Sequence, residues 1–360
     1  MKKILVIQNK RIGDVLLSSV FANNIKKVFP DSEITFFAYN YTTGVLENNP
    51  NIDRIIAVNE KKLKRLPSLF NTIVKIRREN FDIIFDPYAK FQSRMICLGS
   101  GAKYRIGFKR EHKKLKLPFY THPINFKKKA TLPCGRGIED RINLIQSVFP
   151  LENIDYEPKI FLTEEEKNFN ALDGIQQPVV MLGVLGSTPQ KSMPYEYIAE
   201  IIDFITENYH ITILFNYAPH QKNEAMKIYD MCSFKAQINL DIYASSIRGF
   251  AVLTNQCNLL VSNEGGSVHI AKALEKPTFT IYSPYIDKDA WNSFEDGKLH
   301  QSIHLLEENP NLFSSFSTEE RKKIEANPES LYLKLTPAMI LSKLKPFLKH
   351  HLISFTKTSS

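Results

Sequence analysis

Short runs rich in β-branched and aromatic side chains alternate along this chain with stretches in which apolar residues recur every third or fourth position. The first pattern predicts buried strands and the second amphipathic helices. Strands are expected at Lys3 to Gln8, Glu33 to Ala38, Arg54 to Val58 and Phe81 to Asp86. Between them, Leu17, Phe21, Ile25 and Val28 share one helical face, followed by helices over Leu66 to Arg78, from Arg94 onward, and over Arg136 to Phe149. Strict alternation of strand and helix is the pattern of a parallel sheet covered by helices, so the first half reads as Rossmann-like.

From Leu151 to Pro178 the pattern changes. Glu164 to Glu166 open a short charged helix, and Asp173, Gly174 and Pro178 supply turn residues before the next apolar run. The alternation then restarts, with strands at Val179 to Val184, Ile211 to Phe215, Asn258 to Ser262 and Thr278 to Tyr282. Helices are expected at Tyr195 to Glu207, Gln221 to Cys232, Ser246 to Thr254 and Ser267 to Leu274. Two domains follow, residues 1–170 and 175–335, with a cleft expected between them. After residue 300 the pattern weakens, and residues 336–360 form a terminal helix and basic tail expected to pack on the first domain. No internal repeat with matching residues is visible.

A length of 360 residues suits two such domains. Four cysteines without C-x-x-C spacing point to a reduced, cytoplasmic protein. No apolar run approaches the eighteen or so residues of a membrane span, so none is expected to cross a bilayer. The net charge of +9 is unevenly spread. Arg54 to Lys129 holds 20 basic and 5 acidic residues, an excess of +15, and leaves the rest of the chain at −6. Lys61, Lys62, Lys64 and Arg65, then Lys109, Arg110, Lys113, Lys114 and Lys116, then Lys127 to Lys129 suit phosphates, anionic sugars or an anionic leaflet. A solvated basic face is the plainer alternative. Phe70, Phe81, Tyr104 and Phe108 within this segment read as core residues, which argues against a nucleic-acid stacking platform.

Three segments carry candidate chemistry. Asn9-Lys10-Arg11-Ile12-Gly13-Asp14 joins the first strand to its helix, with Asp14 at or near the helix start. Asp14 is either a cap or a general base at the carboxyl end of that strand. The dinucleotide fingerprint G-x-G-x-x-G is absent. Leu185 to Pro194 places Ser187, Thr188 and Lys191 before a helix, as an anion site requires or as an ordinary capped loop would have. Asn263-Glu264-Gly265-Gly266-Ser267-Val268-His269 follows a strand and suits a sugar and its phosphate, with a packing role the alternative for His269. His300 and His304 have H-x-x-x-H spacing, but Gln301 replaces the glutamate of H-E-x-x-H, and no metal site is read. G-x-S-x-G is missing.

KILVIQNKRIGDVLLSSVF, FDPYAKFQSRMICLGSGAKYRIGF, GVLGSTPQKSMPYEYIAEII and LLVSNEGGSVHIAKALEKPTFTIYSP occur in this order. Together they resemble glycosyltransferase family 9, the ADP-heptose:lipopolysaccharide heptosyltransferases, over residues 1 to 292. The resemblance implies a GT-B fold, α/β with two Rossmann-like domains facing across a cleft, the acceptor on the first and the nucleotide sugar on the second. It implies inverting transfer from ADP-heptose, or a related nucleotide sugar, to an anionic lipopolysaccharide core acceptor. By resemblance Asp14 is the catalytic base, and Ser187, Thr188, Lys191, Gln221, Glu264, Gly265, Gly266 and His269 hold the donor. Glu264 stands where an aspartate is usual, and Gln221 where a ribose-contacting carboxylate is usual. Lys64, Arg65, Lys90, Arg94, Arg105 and Lys109 are expected to face the acceptor. No metal or other cofactor and no nucleic acid is implied; a peripheral contact with the cytoplasmic face of the inner membrane is. A GT-B nucleotide-sugar epimerase and a non-enzymatic anion-binding module are the rival readings.

Overall fold

A computed structural model describes residues 1–110 and 117–353, the side chains of Ser315 and Glu325 excepted. Lys113, Lys114 and Lys116 of the basic run and the tail after residue 353 lie outside the described residues. The chain divides into two units. The first is Met1–Phe161 with Asp289–Ser293, and the second is Leu162–Lys288 with the residues from Phe294 onward.

The first unit carries β1 (Lys3–Ile7), β2 (Glu33–Tyr39), β3 (Arg54–Val58), β4 (Ile83–Asp86), β5 (Tyr104–Phe108) and β6 (His122–Ile124). All pair in parallel, in the order β3-β2-β1-β4-β5-β6. The helices are α1 (Ile12–Leu17), α2 (Val20–Val28), α3 (Glu60–Leu63), α4 (Leu66–Arg78), α5 (Phe91–Ser100) and α6 (Arg136–Gln146). The pattern at 17–28 predicts one helix, but the chain breaks at Ser18 and Ser19. Ser18 Oγ donates to the Asp14 carbonyl at 2.8 Å and accepts from Arg141 Nε at 2.8 Å. A hydroxyl bonding back to the preceding turn bends a helix. β5 and β6 are absent from the expected strands. β6 holds Pro123, which only an edge strand tolerates.

The second unit opens with α7 (Glu164–Asn168), followed by β7 (Val179–Gly183), α8 (Tyr195–Asn208), β8 (Thr212–Asn216), α9 (Lys222–Met231), β9 (Ile238–Asn239), α10 (Ile247–Gln256) and β10 (Leu259–Asn263). Then come α11 (Gly266–Ala273), β11 (Thr278–Ile281), β12 (His300–Ile303), α12 (Leu305–Glu308), α13 (Thr318–Ala326) and α14 (Pro337–Leu352). The parallel sheet runs β12-β11-β10-β7-β8-β9. Counted from its own first strand, this is the strand order of the first unit again.

Two expectations change here. The division falls before α7 rather than at 170–175, because Arg248 of α10 forks onto Glu166 of α7 at 2.7 and 2.5 Å. The terminal helix packs on the second unit, not the first. α14 lies against α8, β11 and β12, and Ile340, Leu344, Phe347 and Leu348 are buried in that unit's core. His350 and His351 are part of this helix. All four cysteines are buried and unpaired. Among the described residues no helix is long and apolar enough to cross a membrane.

Candidate functional site

Strand order reverses between β1 and β4 in one sheet and between β7 and β10 in the other. A parallel sheet opens a crevice at the carboxyl ends of the strands at such a point. The segments after these four strands hold most of the candidate residues.

Asp14 is the third residue of α1. Its Oδ2 accepts the Arg11 N–H at 3.1 Å, a capping role, while its Oδ1 accepts Arg141 Nη2 at 3.0 Å. Arg141 is buried, and the Asp14 side chain keeps 26% of its surface exposed. The carboxylate is therefore fixed by two donors yet reachable, and an ionised carboxylate has lone pairs beyond the two used. Beside it, the Arg110 charge, then partial burial and Lys10, lower the pKa of Lys90, while Asp14 opposes them. Lys10 bonds Glu60 of α3 at 2.8 Å, as do Tyr41 at 3.0 Å and Lys64 at 2.9 Å. Hydrogen bonds from Lys10 and Lys64 hold Glu60 at about 2. Asn9, after β1, is fully buried with neither amide atom hydrogen-bonded.

The six acceptor candidates do not form one surface. Lys64 and Arg65 are exposed between α3 and α4, and Lys90 and Lys109 are exposed after β4 and β5. Arg94 is instead buried on α5, its guanidinium 4.1 Å from the centre of the Phe119 ring. Arg105 is drawn inward, donating to the carbonyls of Phe119 at 3.2 Å and Ala102 at 2.9 Å. Of the expected core aromatics in this segment, Phe81 and Phe108 are buried, but Phe70 is exposed.

In the second unit, the segment after β7 folds back on itself through a 3-10 turn at Pro189–Lys191. Gly186 is required there, because a Cβ would lie 2.0 Å from the Lys191 carbonyl oxygen. Its N–H donates to Ser192 Oγ, and its carbonyl accepts Gln221 Nε2 at 2.8 Å. Gln221 Oε1 accepts the Ala218 N–H at 2.9 Å, so both ends of that amide tie loops together. Ser187 is exposed and Thr188 half-buried on the same loop.

Lys191 Nζ meets Glu264 Oε1 at 2.7 Å. Glu264 is buried after β10, and the same oxygen accepts Ser283 Oγ at 3.0 Å. Ser283 Oγ also lies 2.8 Å from the Tyr332 hydroxyl oxygen, itself 3.0 Å from the Lys191 carbonyl oxygen, and the two hydroxyl protons serve two of these three contacts at a time. Gly265 precedes α11, Gly266 begins it, and His269 is buried in its first turn. A cavity of about 810 Å³ lies against Ser187, Thr188, Tyr195, Gln221, Glu224 and Leu333. Glu224 Oε2 is buried without a hydrogen-bond partner.

The histidines with H-x-x-x-H spacing are not on a helix. His300 opens β12, where burial, then the Lys272 charge, lower it to about 4, and its Nδ1 lies 3.0 Å from Thr278 Oγ1.

The sequence model of glycosyltransferase family 9 (heptosyltransferase) matches residues 70–301, more than half of the chain. The chain belongs to glycosyltransferase family 9. It is thus an enzyme of the heptosyltransferase family of lipopolysaccharide core glycosyltransferases. Lipopolysaccharide heptosyltransferase 1 of Campylobacter coli is 23% identical over 288 residues, 78% of this chain and 83% of that relative. The glycosyl transferase family 9 structure from Veillonella parvula DSM 2008 matches with a TM-score of 0.78 at 18% identity, covering 96% of this chain and 97% of that one. Escherichia coli ADP-heptose lps heptosyltransferase II matches with a TM-score of 0.71 at 17% identity, covering 97% and 98%. These likenesses establish the GT-B fold.

The matched family range includes every donor candidate and the residues from Lys90 to Lys109; Asp14, Lys64 and Arg65 precede it. Sequence reasoning missed Arg141, Asn9, Glu224, Ser283 and Tyr332. Arg141 carried a signal, since it falls between Ile138 and Ile145 on the apolar face of a family 9 helix. Ser283 lies inside the last of the four segments that carry the family resemblance, whereas Tyr332 lies outside them all.

Proposed function

We propose that this family 9 enzyme transfers a heptose, or a closely similar sugar, from an ADP-sugar to a hydroxyl of a lipopolysaccharide core acceptor, with inversion. Asp14 takes the proton of the acceptor hydroxyl as its oxygen attacks the anomeric carbon; the bond from that carbon to the diphosphate breaks, and ADP departs. Arg141 and the Arg11 N–H keep the carboxylate aimed, and general-base help of this kind contributes roughly 10²- to 10⁴-fold. Lys191 and the N–H groups at the start of α11 neutralise the leaving diphosphate, with Ser187 and Thr188 as further donors. As proposed, the step uses no metal ion.

Gln221 and the Glu224 carboxylate accept the ribose hydroxyls from the wall of the 810 Å³ cavity. Glu264 and His269 meet the sugar and its phosphate beside Gly265 and Gly266. Lys90 and Lys109, joined by Lys10 and Arg110, receive the anionic acceptor, and Lys64 and Arg65 extend that charge. Arg94 and Arg105 shape the same region from within. The donor and acceptor named for the Escherichia coli transferase support this assignment. The four unpaired cysteines fit a reaction at the cytoplasmic face of the inner membrane.

The reading rests on one observation, the accessible, doubly anchored carboxylate of Asp14. Asp14→Asn tests it. Asn retains size and capping ability but cannot take the proton. The variant is expected to stay folded but to melt below wild type, because Asn leaves the buried Arg141 guanidinium without its carboxylate, to bind ADP normally, and to lose roughly 10²- to 10⁴-fold in kcat. Turnover near wild type would make Asp14 a cap alone.

A further inference from the structure

Helix α4 carries more apolar surface than its packing uses. Leu69 and Ile76 are buried and Ile73 packs on the same core, but Leu66 and Phe70 are 71% and 65% exposed. Among the described residues, no large hydrophobic side chain except Met1 is more exposed than these two. A spacing of four places them side by side on one helix face.

Their surroundings are basic. From Lys61 to Arg78 the chain holds seven cations, Lys61, Lys62, Lys64, Arg65, Lys75, Arg77 and Arg78, and no acid. All seven are exposed. The nearest acid, Glu60, is already taken by Lys10, Lys64 and Tyr41.

We propose that Leu66 and Phe70, ringed by Lys61, Lys62, Lys64 and Arg65, dock the first unit onto an anionic lipid bilayer. The two apolar side chains enter the acyl boundary while the cations rest among acidic headgroups, the division of labour of an interfacial helix. Charge selects this occupant. A second copy would bring two cationic faces together, and a polyanion alone would leave the adjacent apolar pair unused. The surface is also continuous with the acceptor region, because Glu60 of α3 holds Lys10, four residues before Asp14. Docking here would bring a lipid-borne acceptor to the edge of the sheet that carries Asp14. That purpose rests on the proposed transfer; the docking itself does not.

The test is co-sedimentation of the full chain with phosphatidylcholine vesicles with and without phosphatidylglycerol, at low and high salt. Wild type is expected to sediment only with the anionic vesicles, and less at high salt. Leu66→Ser with Phe70→Ser, and separately Lys61→Glu with Lys62→Glu, should each lower the partition coefficient about tenfold or more. Both pairs should keep wild-type melting, ADP affinity and turnover of a short, lipid-free acceptor. Phe70→Trp should bind as wild type does. Failure of wild type to sediment, or unchanged binding by both double variants, overturns docking. So does a size-exclusion shift showing that the patch joins two copies, or competition by RNA that Leu66 and Phe70 do not affect. Lost turnover of the lipid-free acceptor by either double variant would make that part of α3 or α4 belong to the transfer site, which also overturns docking. An inactive wild type that still binds vesicles would count against the transfer reading alone.

Discussion

Lys191 already holds one carboxylate, so its free donors are what a diphosphate can use. An ammonium has three protons, and Glu264 takes one at 2.7 Å. Ser283 and Tyr332 fix the other side of the arrangement, bracing both Glu264 and the Lys191 carbonyl. Lys191→Ala is therefore expected to weaken ADP binding by about 1.5 to 3 kcal/mol, the size of a charge-assisted contact, with a smaller effect on acceptor KM. Calorimetric titration with ADP measures this, and unchanged affinity would remove Lys191 from the donor site. At this scale the sequence was legible where chemistry is local. Ser187, Thr188 and Lys191 stand together before a helix, and their placement could be read without coordinates. Tyr332 lies 141 residues from Lys191, and nothing in its neighbours announces the contact. Charge alone misleads too: Arg94 and Arg105 read as exposed cations, yet one lies under Phe119 and the other caps carbonyls. Composition shows that a side chain is charged, not which way it points.

The strand-to-helix connections show the same limit among elements. Most strands were visible because a strand buried on both faces is a continuous apolar run. Three of the four edges and the interior strand β5 were missed: β6 and β9 are three and two residues long, and β12 reads His-Gln-Ser-Ile. In the segment FDPYAKFQSR, Lys90 and Arg94 are the residues expected to face the acceptor, while its one carboxylate builds the connection. Asp86 ends β4, fully buried, and accepts the Ala89 N–H at 2.8 Å and the Tyr120 hydroxyl at 2.7 Å. It thereby joins β4, the turn before α5 and the chain after β5. Burial raises its pKa from 3.8 to about 6 despite those hydrogen bonds. The native state thus favours the neutral acid. Its stabilisation is complete below pH 3.8 and is lost as pH rises through about 6. Asp86→Asn removes the titration, so its stability relative to wild type should improve between pH 4 and pH 8 by on the order of 2 to 3 kcal/mol. Urea unfolding of both proteins across this range decides it. A difference independent of pH would mean that Asp86 is ionised throughout.

The whole molecule pairs two sheets of one strand order with opposite charge. By composition the first unit carries 29 basic and 16 acidic residues, +13, and the second carries 18 and 22, −4. This asymmetry and the two-domain plan were legible in the sequence, since both are sums over many residues in which single errors cancel. The place of α14 was not, because a basic amphipathic helix fits any apolar face. If the division of labour is right, nucleotide should act on one unit only. ADP at a hundredfold excess over its Kd adds about 2.7 kcal/mol to the state that binds it, and amides in that unit should exchange more slowly. Hydrogen exchange with and without ADP should therefore show protection over residues 184–194, 218–224 and 263–270. Residues 9–18 and 86–96 should exchange at the same rate in both samples. A wild-type chain protected at 9–18 and unchanged at 184–194 would place the nucleotide in the first unit. Lys191 would then have no diphosphate to neutralise, and the assignment of donor and acceptor to the two units would be reversed.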